Sequence, residues 1–176
     1  MRKIFLTVFT AGLLLFSASV AVASGVDVSG SVGRGQADST AYQLGVTQSY
    51  DPLISNEVLG LTPFIGLSGH LWVPDEGDKV WGATFAPGLA LDFFTKSNFQ
   101  PYLKGAVGPT ILSKRHVDDR DLGSNVVIMT RGALGANFGE NLQHHVEGQY
   151  THHSTWGITN TDQGYDTYGV SYGYSF

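Results

Sequence analysis

The chain has 176 residues, a formal net charge of −5 at pH 7 and no cysteine, which excludes a cysteine nucleophile and cysteine-ligated zinc. An acidic chain without a basic run is a poor candidate for binding nucleic acid. The 23 glycines and the 12% aromatic content are unusual for a helical domain.

The N-terminus has the pattern of a cleaved signal peptide. Arg2 and Lys3 precede an apolar stretch that ends at Phe16, and small residues follow as far as Ala23. The apolar stretch has about 13 residues, fewer than the roughly 20 that a membrane-spanning helix needs. We therefore expect residues 1–23 to be a signal peptide and 24–176 to be one mature domain. Losing these two positive charges takes the formal charge from −5 to −7.

The sequence of the mature chain predicts a series of short strands. It has no apolar run near 20 residues, so a membrane protein of this composition has to cross with strands. Alternating segments separated by turn-forming residues predict eight strands. They cover approximately residues 26–34, 40–50, 58–73, 80–94, 99–112, 125–138, 142–154 and 166–176. The predicted fold is all-β, an eight-stranded antiparallel transmembrane β-barrel, with a soluble sandwich or lipocalin-like barrel as the alternative.

The last two segments indicate which face meets lipid. Because side chains alternate along a strand, each segment has one polar or small face and one apolar or aromatic face. In 142–154 the polar face comprises Gln143, His145, Glu147, Gln149, Thr151 and His153. In 166–176 the aromatic face ends at Phe176, an ending that resembles the C-terminus of bacterial outer-membrane proteins. A membrane barrel turns its apolar face to lipid, so these two faces favour a transmembrane barrel over a soluble one.

An even number of strands places both termini on the periplasmic side, with the longer loops outside the cell. The segment 155–165 is then an extracellular loop, and the turn 139–141 is periplasmic. Ser154 and Asp166 accordingly lie near the outer-leaflet end of the barrel wall in the cell outer membrane.

His152, Ser154 and Asp166 are the candidate catalytic residues. His152 and Ser154 are two residues apart and share the lipid face, about 6.6 Å apart along the strand. In a symmetric hairpin Ser154 pairs with Asp166, whereas a two-residue shift puts Asp166 beside His152. Either register lets one imidazole bridge a hydroxyl and a carboxylate, as in a Ser-His-acid esterase. The alternative is a group of solvated rim residues, but polar side chains on a lipid face are costly and tend to be functional.

A metal site is not favoured. The adjacent histidines of each pair point to opposite faces, and the two pairs are about 26 Å apart along a strand. We expect His145, Glu147 and His153 to form a polar network in the lumen with Gln143 and Gln149. Neither a metal nor a cofactor is expected.

The motif His152-His153-Ser154-Thr155, with Asp166 twelve residues after the serine and Gly164 two before Asp166, resembles that of the PagL-type lipid A 3-O-deacylases. That family's motif is His-x-Ser-Asn followed by Glu at the twelfth position. A looser likeness covers 102–109 and the tyrosine-rich terminus. The resemblance implies an eight-stranded outer-membrane enzyme without a cofactor that hydrolyses the ester-linked 3-hydroxyacyl chain at the 3-position of lipid A in lipopolysaccharide.

In such an enzyme Ser154 is the nucleophile, His152 the general base and then acid, and Asp166 orients the imidazole. Two positions depart from the family motif: Asp166 replaces Glu, and Thr155 replaces Asn. If that Asn supports the oxyanion, backbone N–H groups around Gly157 have to replace it, because losing one oxyanion donor costs roughly 10²–10³ in rate.

Several alternatives stay open. A non-enzymatic barrel of the OmpX type is the main one. A palmitoyl-transferase barrel, which holds its acyl chain in the lumen, is disfavoured by the polar inward face of 142–154. Aromatic residues near the outer rim either line an acyl groove or form an interfacial girdle, and these are Tyr150, Trp156, Tyr165 and Tyr168. A homodimer is also left open.

Overall fold

The computed structural model describes residues 25–36, 38–117, 119–161 and 163–176. The predicted signal peptide, 1–23, lies outside the described residues. Every regular element in the described ranges is a strand. These ranges contain no helix that is long and apolar enough to cross a membrane.

Eight long strands form a closed barrel. They are β1 Val26–Gly35, β2 Thr40–Ser49, β3 Leu59–Val73, β4 Val80–Phe93, β5 Phe99–Leu112, β6 Val126–Phe138, β7 His144–Ser154 and β8 Tyr165–Ser175. Each strand pairs antiparallel with its neighbour in sequence, and β8 pairs with β1. Closure gives every strand two hydrogen-bonded neighbours, which a sheet in lipid requires because no water is present to satisfy an open edge. The predicted fold is confirmed.

Three short segments lie outside the wall. Ile54–Ser55 pairs with the beginning of β3 in the connection between β2 and β3. His116–Val117 and Arg120–Asp121 pair with each other in the loop between β5 and β6. That loop lies at the same barrel end as the loop between β7 and β8, and we call this end the loop end. In an outer membrane the loop end faces the cell exterior, because the termini lie at the opposite end.

The strand β7 begins at His144, two residues later than predicted. The preceding turn contains Gly139 at φ +96° and Leu142 at φ +55°, and the Leu142 N–H donates to the Gly139 carbonyl oxygen at 3.1 Å. Left-handed backbone is not compatible with a strand, so Leu142 ends the turn. Gln143 therefore lies between the turn and β7 rather than on the inner face of the strand.

The outer surface of the barrel is apolar, as the alternation predicted. On β7 and β8, Val146 is 42% exposed, Tyr168 is 61% exposed and Val170 is 59% exposed, and all three point away from the lumen. Among the charged residues of the eight strands, only Arg34 and Asp166 lie on this outward face. Both belong to the loop end, so charge is kept out of the middle of the lipid-facing band.

Polar side chains pair with one another inside the lumen. Glu147 accepts a hydrogen bond from the Tyr102 hydroxyl at 3.0 Å and forms an ion pair with Lys104 at 3.7 Å. His145 Nδ1 lies 2.9 Å from Asp27 Oδ2. In the next layer the Gln149 amide donates to Ser31 Oγ at 2.9 Å. The lumen positions expected for His145, Glu147 and Gln149 are confirmed.

His153 differs from the expected network. Its side chain is buried in the lumen, but neither ring nitrogen has a hydrogen-bond partner among the described residues. The ring packs edge-on against Trp72, with 4.9 Å between centroids, and against His70 at 5.6 Å. His153 therefore acts as an aromatic packing residue, because the lumen at this level is lined by rings.

An apolar cluster fills the lumen at the loop end. Its members come from four strand ends, from the start of β8 and from the loop between β5 and β6: Trp72, Val80, Leu112, Val127, Tyr165, Val117 and Leu122. Tyr165 is fully buried and its hydroxyl contacts Ser39 Oγ. Tyr165 thus holds the start of β8 from the inside of the barrel.

Outside the cluster, Lys114 donates a hydrogen bond to Asp78, and this bond lowers the pKa of the Asp78 carboxyl.

Replacing Glu147 by Leu is expected to destabilise the barrel by about 3–5 kcal/mol, because it leaves Lys104 in the lumen without its acid partner. The free energy of unfolding in lipid vesicles, from urea titration, measures the effect. Glu140→Leu is the matched control, since Glu140 lies exposed in the turn between β6 and β7. Equal stabilities for the two variants would contradict this account of the lumen.

Candidate active site

His152 and Asp166 form a hydrogen-bonded pair on the outer wall. They are directly paired across β7 and β8, and His152 Nδ1 lies 2.6 Å from Asp166 Oδ1. Of the two registers considered from the sequence, the structure has the one that puts the carboxylate beside the imidazole. An ionised Asp166 accepts the Nδ1–H, which leaves Nε2 as the nitrogen that can take a proton. The imidazole is partly exposed, with 36% of the side chain accessible.

Alternation along β8 fixes the direction of Asp166. Tyr165, its neighbour, points inward and packs against Trp72 with 4.8 Å between ring centroids. Because Tyr165 is buried in the loop-end cluster, the next residue has to point outward. The inner cluster therefore places the carboxylate on the membrane side.

Two further residues bind the Asp166 carboxylate. The Tyr150 hydroxyl donates to Oδ1 at 2.7 Å, and the Gln36 amide donates to Oδ2 at 2.7 Å. The sequence did not predict that Gln36 is part of the site. Gln36 follows β1, which is far from β8 in sequence, and only closure of the barrel brings the two together.

Ser154 lies on the same outward face, at the end of β7, but its hydroxyl has a different partner. Ser154 Oγ accepts the Trp156 N–H at 3.3 Å, and among the described residues it forms no hydrogen bond with His152. A serine hydroxyl moves between staggered positions by rotation about χ1. Hydrogen bonds between nucleophile and base often form only when substrate is bound. The structure therefore brings His152 and Asp166 together and places Ser154 next to them without an Oγ–imidazole bond.

A tight turn follows Ser154. Trp156 has φ +53° and Gly157 has φ +78°, and the Ile158 N–H donates to the Thr155 carbonyl oxygen at 3.1 Å. Two successive positive φ values define a type I′ turn. A bulky residue such as Trp156 rarely adopts this conformation, and such positions cluster at functional sites. The turn aims the Trp156 N–H at Ser154.

Thr155 occupies the position at which the family motif has Asn. Its side chain is buried, and its hydroxyl lies 2.9 Å from the hydroxyl of Thr159 in the same loop. The Thr155 side chain thus stabilises the loop between β7 and β8.

Gly164 packs against the imidazole. It has φ +62°, and a Cβ at this position would lie 2.8 Å from Cε1 of His152. The Arg120 guanidinium donates to the Gln163 carbonyl oxygen at 3.2 Å and so ties this segment to the loop between β5 and β6. A glycine suits this position because L residues with a side chain rarely adopt this backbone conformation and a Cβ would displace the imidazole.

Two neighbouring open grooves lie on the outer wall, and both are lined by Leu103 and Lys104. One has a volume of about 580 Å³ and is lined by Tyr150, Tyr168 and Gly132 among others. The next, of about 740 Å³, contains Gly105, which pairs directly with Gly132. A Cβ at either glycine would meet nothing within 4 Å. Tyr150 and Tyr168 therefore line a groove, whereas the prediction that Tyr165 lies with them was wrong, because Tyr165 is buried in the lumen.

No group of three or more potential metal ligands occurs in the part of the chain that the structure describes.

These features define a class of protein. A closed eight-stranded barrel with an apolar exterior is the architecture of an outer-membrane protein, and a His–Asp pair beside a serine is found in ester hydrolases among other hydrolytic enzymes. The family model described as lipid A 3-O-deacylase (PagL) matches residues 39–175. The chain therefore belongs to the lipid A 3-O-deacylase (PagL) family and is an outer-membrane ester hydrolase.

Solved structures share this fold. The crystal structure of the outer membrane enzyme PagL is 24% identical, with a TM-score of 0.78 over 85% of this chain and 99% of that chain. Neisserial surface protein A (NspA) is 12% identical, with a TM-score of 0.56 over 86% of this chain and 94% of that chain. The N-terminal barrel domain of Pseudomonas aeruginosa OprF is 14% identical, with a TM-score of 0.51 over 87% of this chain and 98% of that chain. No curated protein sequence matches the chain significantly.

On the prediction that His152 is the general base, replacing Gly164 by Ala is expected to lower deacylation by about 10²-fold, because misplacing a catalytic group costs that much. The added Cβ pushes the His152 imidazole away from its place beside Asp166. Lipid A deacylation rates in vesicles measure the effect. Gly77→Ala is the control, since Gly77 has φ +92° and open space around it. It introduces the same type of backbone strain without a contact to the imidazole, and an equal loss of activity in both variants would argue against the contact at Gly164.

Proposed function

We propose that His152, Ser154 and Asp166 carry out the deacylation, releasing the ester-linked 3-hydroxyacyl chain from the 3-position of lipid A. The observation that carries this proposal is the 2.6 Å hydrogen bond between His152 and Asp166 on the lipid-facing wall, with Ser154 two residues along the same face. The pair is charged or polar where the barrel wall is mostly apolar, and such residues in membranes tend to be functional.

The reaction proceeds in two steps. Ser154 Oγ attacks the ester carbonyl carbon while His152 Nε2 takes the hydroxyl proton. The imidazolium then gives this proton to the departing 3-oxygen of the sugar, which leaves an acyl-serine. Water loses a proton to His152 and attacks the acyl-serine, and the 3-hydroxy fatty acid leaves as Ser154 recovers its proton. Asp166 holds the Nδ1–H throughout and stabilises the imidazolium.

The oxyanion needs hydrogen-bond donors near Ser154. The Thr155 hydroxyl is engaged with Thr159, so a backbone donor is the better candidate. The Trp156 N–H already points at Ser154 Oγ, and the left-handed backbone at Trp156 and Gly157 sets its direction. Preorganised donors of this kind stabilise a developing oxyanion without reorganisation during the reaction.

The site can receive a lipid directly from the membrane. Because His152 and Asp166 face outward at the loop end, a lipid A molecule in the outer leaflet reaches them by lateral diffusion. The outer groove that contains Gly132 is also lined by Tyr150, whose hydroxyl donates to Asp166. Its open, mainly apolar surface suits the acyl chain that is to be removed.

Mass spectrometry of lipid A from cells that express the chain tests the proposal. The wild type is expected to remove one hydroxyacyl chain, and Ser154→Ala and His152→Ala are expected to abolish the loss, because they remove the nucleophile and the base. The matched control is His144→Ala. His144 lies on the outward face of the same strand, at the opposite end of β7, and its ring nitrogen is 2.7 Å from the Tyr172 hydroxyl.

Folded protein in the membrane that leaves lipid A unchanged would refute the proposal and support the non-enzymatic barrel instead. Full activity of Ser154→Ala would mean that the chain deacylates lipid A but that Ser154 is not its nucleophile.

The groove has its own test. Gly132→Leu is expected to lower deacylation of lipid A because the new side chain fills the open space beside Tyr150. Hydrolysis of a short-chain ester such as an acetate ester is expected to be unchanged, because the short chain does not extend into the groove. An equal loss on both substrates would mean that the substitution disturbs the reacting groups rather than the acyl site.

A further inference from the structure

We infer that Gln36 and Tyr150 are positioning residues that hold the Asp166 carboxylate in the one orientation in which it accepts the His152 Nδ1–H. The inference rests on the proposed function and adds two residues to it, one from the far end of the chain. Neither residue is in the motif around Ser154.

The hydrogen bonds of the carboxylate show how the orientation is set. Oδ1 accepts from His152 Nδ1 at 2.6 Å and from the Tyr150 hydroxyl at 2.7 Å, and Oδ2 accepts from the Gln36 amide at 2.7 Å. The terminal torsion of an aspartate is broad, so a carboxylate held by the imidazole alone can turn about it. A donor on each oxygen stops this rotation.

Gln36 is itself held by the backbone of β8. Its N–H donates to the Asp166 carbonyl oxygen at 2.9 Å, and the Asp166 N–H lies 3.4 Å from Gln36 Oε1. The amide oxygen thus faces a backbone donor while the amide nitrogen faces Oδ2. Turning the amide over would put an acceptor against the carboxylate and a donor against an N–H. Only one amide orientation satisfies both contacts, so Gln36 is a fixed donor.

Tyr150 reaches Oδ1 from the opposite side. Its ring lies on the outer wall beside Tyr168, with 5.1 Å between centroids, and also lines the groove. A hydroxyl at this position supplies a hydrogen bond that water supplies to exposed carboxylates in solution. On a lipid-facing wall such bonds have to come from the protein, because an unsatisfied charged group is costly there.

Gln36→Leu separates positioning from general stability. It keeps the approximate size of the side chain and removes the donor to Oδ2. We expect kcat to fall about 10- to 100-fold, as a slightly misplaced catalytic group does, with KM within about twofold of wild type. Tyr150→Phe is expected to lower kcat in the same way. Both measurements use the full chain folded in vesicles that contain lipid A.

The matched control is Gln149→Leu. Gln149 also loses one side-chain hydrogen bond, the 2.9 Å contact with Ser31, but it lies inside the lumen and does not touch Asp166. We expect kcat to stay within about twofold of wild type, although the unfolding free energy falls by the usual amount for a lost hydrogen bond.

A double-mutant cycle shows whether Gln36 acts through Asp166. Asp166→Ala removes the acceptor, and adding Gln36→Leu to it is then expected to change kcat by less than about twofold, because residues that act on each other are not additive. A simple structural role predicts the full 10- to 100-fold loss in both backgrounds. Full additivity would therefore overturn the inference, as would a Gln36→Leu enzyme with wild-type kcat.

Failure of the inference and failure of the proposed function look different. If Gln36→Leu has no effect while Ser154→Ala is inactive, only the positioning role is wrong. If the folded wild type itself releases no acyl chain, the proposed function is wrong.

Discussion

The register between β7 and β8 is the constraint on which the candidate site depends. His152 and Asp166 are direct partners across these strands, and their side chains meet on the outer face at 2.6 Å. A slip of one residue would send one side chain of the pair to the lumen, because side chains alternate with a period of two. Packing of Tyr165 in the loop-end cluster opposes such a slip, since it would pull a fully buried ring out to the membrane side. The interior of the barrel thus stabilises the candidate site on its exterior.

The membrane imposes a second requirement on the candidate site, which is that the protein itself supplies hydrogen-bond donors to the Asp166 carboxylate. A carboxylate exposed to water finds donors in the solvent, whereas one on a lipid-facing wall needs them from the protein. Among the described residues, three donors bind the Asp166 carboxylate, and they come from β7 and from the loop that follows β1. Barrel closure is therefore part of the site as well as of the fold, because it is the pairing of β8 with β1 that brings Gln36 to Asp166.

Much of the fold and of the candidate site could be predicted from the sequence. The strand count, the outward aromatic face and the shared face of His152, Ser154 and Asp166 follow from alternation, which depends only on each strand's own residues. The motif around Ser154 pointed to the enzyme family that the match over 39–175 confirms. The surroundings of His153 in the lumen could not be predicted from its own strand, because its neighbours Trp72 and His70 come from β3. In the described structure, His153 packs against these rings and has no hydrogen-bond partner.

The sequence alone determined which residues share a face and which residue types stand together near the outer rim, because these properties are local to a strand. The tertiary structure decided how far apart they are. It selected the register that joins His152 to Asp166, turned the Ser154 hydroxyl toward Trp156 and brought Gln36 to a carboxylate far away in sequence. These contacts depend on hydrogen bonding between strands and on closure of the barrel, and no single segment contains that information.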